Sequence, residues 1–278
     1  MMKLLRAGFR RYFKNIFTWI TFAIIFLIGC LGAAEVGPHS SPDDIYLLSL
    51  VIGIPAMITL CIGMEVGSGA VRNKIVKGYR KGQIFLCELI MALTIAFVMF
   101  VITGASFILP NLPILKTISF EVLCKIVIGM IMMNLGVAVI AVAISCLIHN
   151  RAISAVLSLV LIIGILFMGY YLNDQLNNPE FFVAYNSEGT MIENSLRNPN
   201  YVDGAQRTIY EFLYNANPMG QMIEYSEVLS PYFTPHYVKL ETPQEEMDFI
   251  NSAPLYSLGI ILIVSSAGYI LFRKKNVK

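Results

Sequence analysis

Charge is what this sequence has least of. Acidic and basic residues together fill 14% of its 278 positions, and the net charge is only +2. A soluble domain carries roughly 25% charged residues, so an ordinary water-soluble fold is excluded. So small a net charge gives no footprint for nucleic acid, and so apolar a chain is not disordered. Nucleotide chemistry is missing as well. No Gly-x-x-x-x-Gly-Lys-Ser/Thr loop occurs, so this chain has no P-loop ATPase of its own. No His-Glu-x-x-His, Gly-x-Ser-x-Gly or paired-Cys motif occurs either, and His39, His149 and His236 are too scattered to share a metal. The expectation is a chain that is not an enzyme and holds no metal. Its five cysteines (Cys30, Cys61, Cys87, Cys124 and Cys146) all lie inside apolar runs and read as small apolar residues.

What the sequence has instead is hydrophobic length. Apolar residues make up 56% of it, and the mean hydropathy is +0.68. A membrane span needs about 20 mostly apolar residues. Six runs qualify: Ile16–Ala34, Ile45–Gly63, Ile84–Leu109, Val122–Ile148, Ala152–Leu172 and Leu255–Phe272. The first is longer than the roughly 7–15 apolar residues of a signal peptide, so it reads as a span. The expected fold is therefore an all-α integral membrane protein with six transmembrane helices.

Basic residues set the expected orientation. Fifteen of the 20 fall at the N-terminus, in the link at 64–83, at Arg151 and in the tail at 273–278. The positive-inside rule places all of these, and both termini, in the cytoplasm. The 82-residue stretch 173–254 lies outside. It holds twelve acids against Arg197, Arg207 and Lys239, and no cysteine to brace it. Within it, Tyr201–Asn215 has helical spacing, and Pro218 can open a second helix running towards Leu229. Thr242-Pro243-Gln244-Glu245 fits a capping box leading into the last span. Residues 173–200 match no periodic pattern.

Two further features stand out. Residues 1–15 place Lys3, Arg6, Arg10 and Lys14 on one helical stripe, with Leu5, Phe9, Tyr12 and Phe13 opposite, as suits a helix lying in the headgroup layer. Inside the spans, polar groups are few. Glu88 and Lys125 lie near opposite faces, where a wetted Glu88 and a snorkelling Lys125 are expected. Asn134, near mid-span, reads either as a helix–helix hydrogen bond or as part of a translocation path.

The link at 64–83 is the informative one. Ser68 can cap a helix starting at Gly69 or Ala70, Val71 and Ile75 share one face, Arg72, Asn73 and Lys74 are expected to be exposed, and Gly78 can end it. So short a helix is marginal alone and needs a surface to dock on. Val71 and Ile75 are expected to bury against a partner. Arg72 is expected to pair with an acid of that partner, or to hold the loop through Glu65.

Glu65-x-x-x-Gly69-x-x-Arg72-Asn73-Lys74, in the first cytoplasmic loop of a six-span chain, resembles the coupling segment of ABC exporter permeases of the second type. It is most similar to the branch of bacitracin and lantibiotic immunity and of amphipathic peptide toxin export. Asn217-Pro218-Met219-Gly220-Gln221 resembles that branch's outer Pro-x-Gly-Gln segment before its last span, and residues 1–15 resemble its elbow helix. The resemblance implies a permease subunit of a bacterial plasma membrane that works with a second permease copy or a sibling. Two separate ATP-binding subunits, holding ATP and Mg, would dock at Glu65, Ser68, Gly69, Val71, Arg72, Asn73, Lys74 and Ile75. The cargo would be an amphipathic peptide or peptide antibiotic. Two readings of other classes stand beside it: an ion- or proton-driven carrier, and a membrane receptor or scaffold with an acidic ligand-binding outer domain.

Overall fold

Asn15 divides the first apolar region in two. In the computed structural model, which describes residues 1–34, 49, 53–67, 69–115, 118–148, 150–185, 191–233 and 244–275, helix α1 (Met2–Lys14) meets α2 (Ile16–Ala34) at a bend of 63°. Asn15 is extended there, and its side-chain oxygen accepts from the Phe17 N–H at 3.1 Å. The open end of α1 is closed by the start of α2: Thr18 donates to the Tyr12 carbonyl and Trp19 to the Phe13 carbonyl, each at 2.8 Å. These bonds supply carbonyl partners that a helix end otherwise lacks. The face of α1 that packs inward is Leu4, Gly8 and Tyr12, while Leu5 and Phe9 are only half-buried. The expected apolar stripe is therefore rotated: Tyr12 turns into the bundle towards the long helix Lys81–Leu115, and Phe13 stays exposed.

The remaining helices follow the apolar runs, because a backbone in lipid must satisfy its own hydrogen bonds. They are α3 (Ile54–Gly67), α4 (Ala70–Val76), α5 (Lys81–Leu115), α6 (Phe120–Leu147) and α7 (Arg151–Leu176). After a hairpin come α8 (Gly204–Ala216), α9 (Pro218–Phe233) and α10 (Gln244–Lys274). By length and composition four stretches can cross a membrane: Lys81–Leu109, Phe120–Leu147, Ala152–Leu176 and Met247–Lys274. The bent α1–α2 pair makes a fifth if it is counted as one span. Several such helices make this a multi-pass membrane protein. Six spans were expected, and the difference lies in the second run. Its described apolar helix, Ile54–Gly63, is shorter than a span, and most of 45–53 lies outside the described residues.

Helix α6 is the centre of the bundle, packing against α10, α3, α5, α7 and α9. It buries Ile126, Met130, Met133, Val137 and Val142. Its start is capped by Ser119, which accepts from the Val122 N–H. By contrast α7 and α10 bury only about a fifth of their apolar windows, so most of their surface faces outward.

The polar stretch before the last helix departs from all-α. Strands β1 (Phe181–Tyr185) and β2 (Met191–Arg197) pair antiparallel, with Phe181 opposite Arg197 and Tyr185 opposite Met191, and an irregularity between Phe182 and Ala184. Asn198 closes the base, its backbone N–H donating to the Glu180 carbonyl and its amide to that of Pro179. Helix α8 begins at Gly204, three residues later than the spacing predicts. Helix α10 begins at Gln244, and its predicted cap, Thr242-Pro243, lies outside the described residues. Helix α9 opens at Pro218 as expected, and it packs into the helix bundle. Met219, Met222, Ile223, Tyr225 and Val228 are buried, and it packs against α6 and α7.

Candidate functional site

The link between α3 and α5 is built around α4. Gly69 precedes it with φ +69°, and Gly78 follows with φ +88°, a backbone region where a side chain is strained. Gly78 ends the helix as the spacing predicts. Its N–H donates to the Ile75 carbonyl at 2.9 Å, and the Tyr79 N–H donates to the Lys74 carbonyl at 3.1 Å. That crossed pair is a Schellman stop. Ser68, the expected cap at the other end, lies outside the described residues, and the N-cap position is held by Gly69, which has no side chain to cap with.

The faces of α4 are not the ones expected. Val71 is buried in the chain's own core, and Ile75 packs against that core half-buried. The outward face carries Arg72, Asn73, Lys77 and Val76, the last 78% exposed. The Val71–Ile75 strip therefore does not wait for a partner: it docks the helix on the chain itself. Beside α4 lies a cleft of about 580 Å³ lined by Ile75, Tyr79, Arg80, Gln83, Tyr269 and Arg273. The tail of α10 is tied to this region by Lys81, which donates to the Lys275 carbonyl at 2.6 Å.

Charge inside the link is concentrated on Lys74. It shares the inward face with Val71 and Ile75, and its ammonium donates to Glu65 of α3 and, at 2.9 Å, to Glu88 of α5. Arg11 of α1 reaches Glu65 from the other side. Both carboxylates are buried, at 2% exposure each, so four elements meet at one ionic cluster. Burial pulls the Lys74 pKa down, but Glu88 and Glu65 outweigh it and hold the ammonium above its ordinary value. Three expectations change accordingly. Lys74, expected on the exposed face with Arg72 and Asn73, is turned inward. Arg72 does not hold the loop through Glu65; Lys74 does. Glu88 is not wetted but buried against Lys74. Lys125 does reach towards its helix end, where it pairs with the exposed Glu121 one turn away at 2.8 Å. The signal for the cluster was present in the spacing, since Val71, Lys74 and Ile75 fall on one stripe.

Asn134 is buried, and its amide donates to the Met130 carbonyl of its own helix at 2.8 Å. That bond stays within α6 and does not join it to a neighbouring helix.

The second motif, Asn217-Pro218-x-Gly220-Gln221, forms a joint between four helices. The Asn217 oxygen accepts from the Met219 N–H at 2.8 Å and caps α9, while its amide donates to the Ile165 carbonyl of α7 at 2.9 Å. The Gln221 amide donates to the Asn215 carbonyl at the end of α8, and its oxygen accepts from Ser257 of α10, each at 2.6 Å. Gly220 passes so close to Tyr214 that a Cβ would meet the Tyr214 carbonyl and ring. Tyr214 itself is buried, and its phenol is pushed well above the usual range by burial and by Glu224.

Compared with known proteins, the chain matches no family, and no curated protein is close enough in sequence to count as a relative.

Proposed function

We propose that this chain is the membrane permease subunit of an ATP-driven ABC exporter, with both termini in the cytoplasm, six spans and α1 as its elbow helix. The single observation that carries the reading is α4. It is a seven-residue helix between two apolar helices, fixed to the chain on one face, and it offers Arg72, Asn73 and an exposed Val76 on the other. Val76, 78% exposed beside Arg72 and Asn73, gives that face an apolar contact flanked by polar ones, the kind of surface a docking partner would cover. Separate ATP-binding subunits would seat on that face and on the adjoining cleft. They would do work through ATP's different affinity for two states of the assembly. The outward apolar surfaces of α7 and α10 suit lipid and a second permease copy. The cargo we infer is an amphipathic peptide or peptide antibiotic, moved outward or extracted from the membrane. The test is reconstitution of the chain in vesicles with a candidate ATP-binding subunit. Peptide-dependent ATP turnover supports the reading, and turnover indifferent to the chain refutes it.

A proton-driven carrier has one observation in its favour, the buried Glu65 and Glu88 side by side. Lys74, which both share, and Arg11 on Glu65 pair with them and fit a structural cluster better. Peptide movement driven by a pH gradient, without any ATPase, would favour the carrier.

A further inference from the structure

Helix α4 has seven residues, too few to persist without outside support. Its support comes from two sources of different kinds. Val71 supplies apolar contact, which tolerates sliding. Lys74 supplies direction, because its ammonium is held between carboxylates on two different helices, Glu65 of α3 and Glu88 of α5. The Lys74 side chain is 12% exposed, so the charge has little recourse to water if either partner leaves. Glu65 is also engaged by Arg11, which brings α1 into the same cluster. Glu88 lies about two turns into α5, so a pull on it acts on the body of the helix.

We infer that Lys74 is a positioning residue that clamps α3, α4 and α5 into one mechanical unit, so that displacement of α4 is delivered to α5. This rests on the reading of α4 as a docking helix, but it assigns a distinct task to the inner face. Arg72, Asn73 and Val76 meet the partner, and Lys74 passes the movement on. Docking and coupling then reside on opposite sides of one short helix and are separable by substitution.

The experiment compares the full chain with Lys74→Met, Lys74→Arg and the exchange Lys74→Glu with Glu88→Lys. Two quantities are read: amide hydrogen exchange over residues 70–77, and peptide moved per ATP hydrolysed in vesicles containing the ATP-binding subunit. Lys74→Met should exchange roughly tenfold faster or more over 70–77, with α6 unchanged, because one buried partner has been removed. It should keep the ATP-binding subunit and lose peptide movement per ATP. Lys74→Arg should recover both quantities, while the exchanged pair, which rebuilds the link to α5 but sets a carboxylate against Glu65, should recover them only in part. Wild-type exchange and transport in Lys74→Met overturns the clamp, as does failure of Lys74→Arg in a chain whose α6 is protected. If Lys74→Met does not reach the membrane, Lys74→Arg against the exchanged pair decides: equal readings in the two overturn the clamp, and a weaker exchanged pair supports it. A wild-type chain that recruits no ATP-binding subunit defeats the docking reading, and exchange over 70–77 then decides the clamp alone.

Discussion

The Asn217 amide donates to the Ile165 carbonyl at 2.9 Å, joining the start of α9 to the interior of α7 across 52 residues of sequence. The same side chain caps α9 through its oxygen, so one residue satisfies two backbone groups on two helices. Asn217→Ala should cost about 1–3 kcal/mol, the penalty for leaving buried polar groups unmatched. Asn217→Asp keeps the cap and loses the donor, so it should fall between. Thermal unfolding of the purified protein in detergent gives the order: wild type, then Asp, then Ala.

Gly220 tests the same joint by volume instead of polarity. A methyl group there runs into the Tyr214 carbonyl and ring, and helix backbone cannot yield as a flexible side chain can. Gly220→Ala should lower the melting temperature by more than Gly164→Ala, a glycine of α7 with open space around it. Equal shifts would mean that α8 and α9 are not pressed together as described.

Much of this was legible in the sequence for a simple reason. Apolar runs in a membrane have little choice but helix, so α2, α5, α6, α7 and α10 lie where hydropathy puts them. Pro218 and Gly78 were readable because each fixes a backbone conformation locally. What could not be read depended on partners far away in the chain or on faces turned by packing. Phe181–Tyr185 has no alternation, so β1 shows no strand pattern until β2 pairs with it. Glu88 was judged against the opposite membrane face, while its partner Lys74 lies 14 residues earlier. The spacing marks Val71–Ile75 as a docking stripe, but one chain's sequence does not say whether the surface it docks on is its own, and the partner expected for it is the chain itself.

Orientation is testable at exposed positions. Ala205 on α8 and Lys77 after α4 are both exposed. With the native cysteines replaced, Ala205→Cys should react with an impermeant maleimide on intact cells, and Lys77→Cys should react only after lysis. Labelling of Lys77→Cys on intact cells would reverse the orientation and remove α4 from reach of a cytoplasmic ATPase.

Val71 and Val76 share a short helix and should behave in opposite ways. Val71 is 6% exposed, so Val71→Asp buries an unpaired charge and should reduce folded yield in the membrane. Val76→Asp leaves the core intact, and its yield and melting temperature should match wild type within about 0.5 kcal/mol, as for an ordinary surface change.

The central claim is that the outer face of α4 seats an ATP-binding subunit. The most direct measurement is the amount of that subunit recovered with the purified chain, wild type against Val76→Asp with Arg72→Glu, at equal yield of the chain. The account predicts that the double variant folds, reaches the membrane and loses the subunit together with peptide-stimulated ATP turnover. Undiminished recovery and turnover in the double variant would contradict it and leave the link between α3 and α5 as a basic loop facing lipid headgroups.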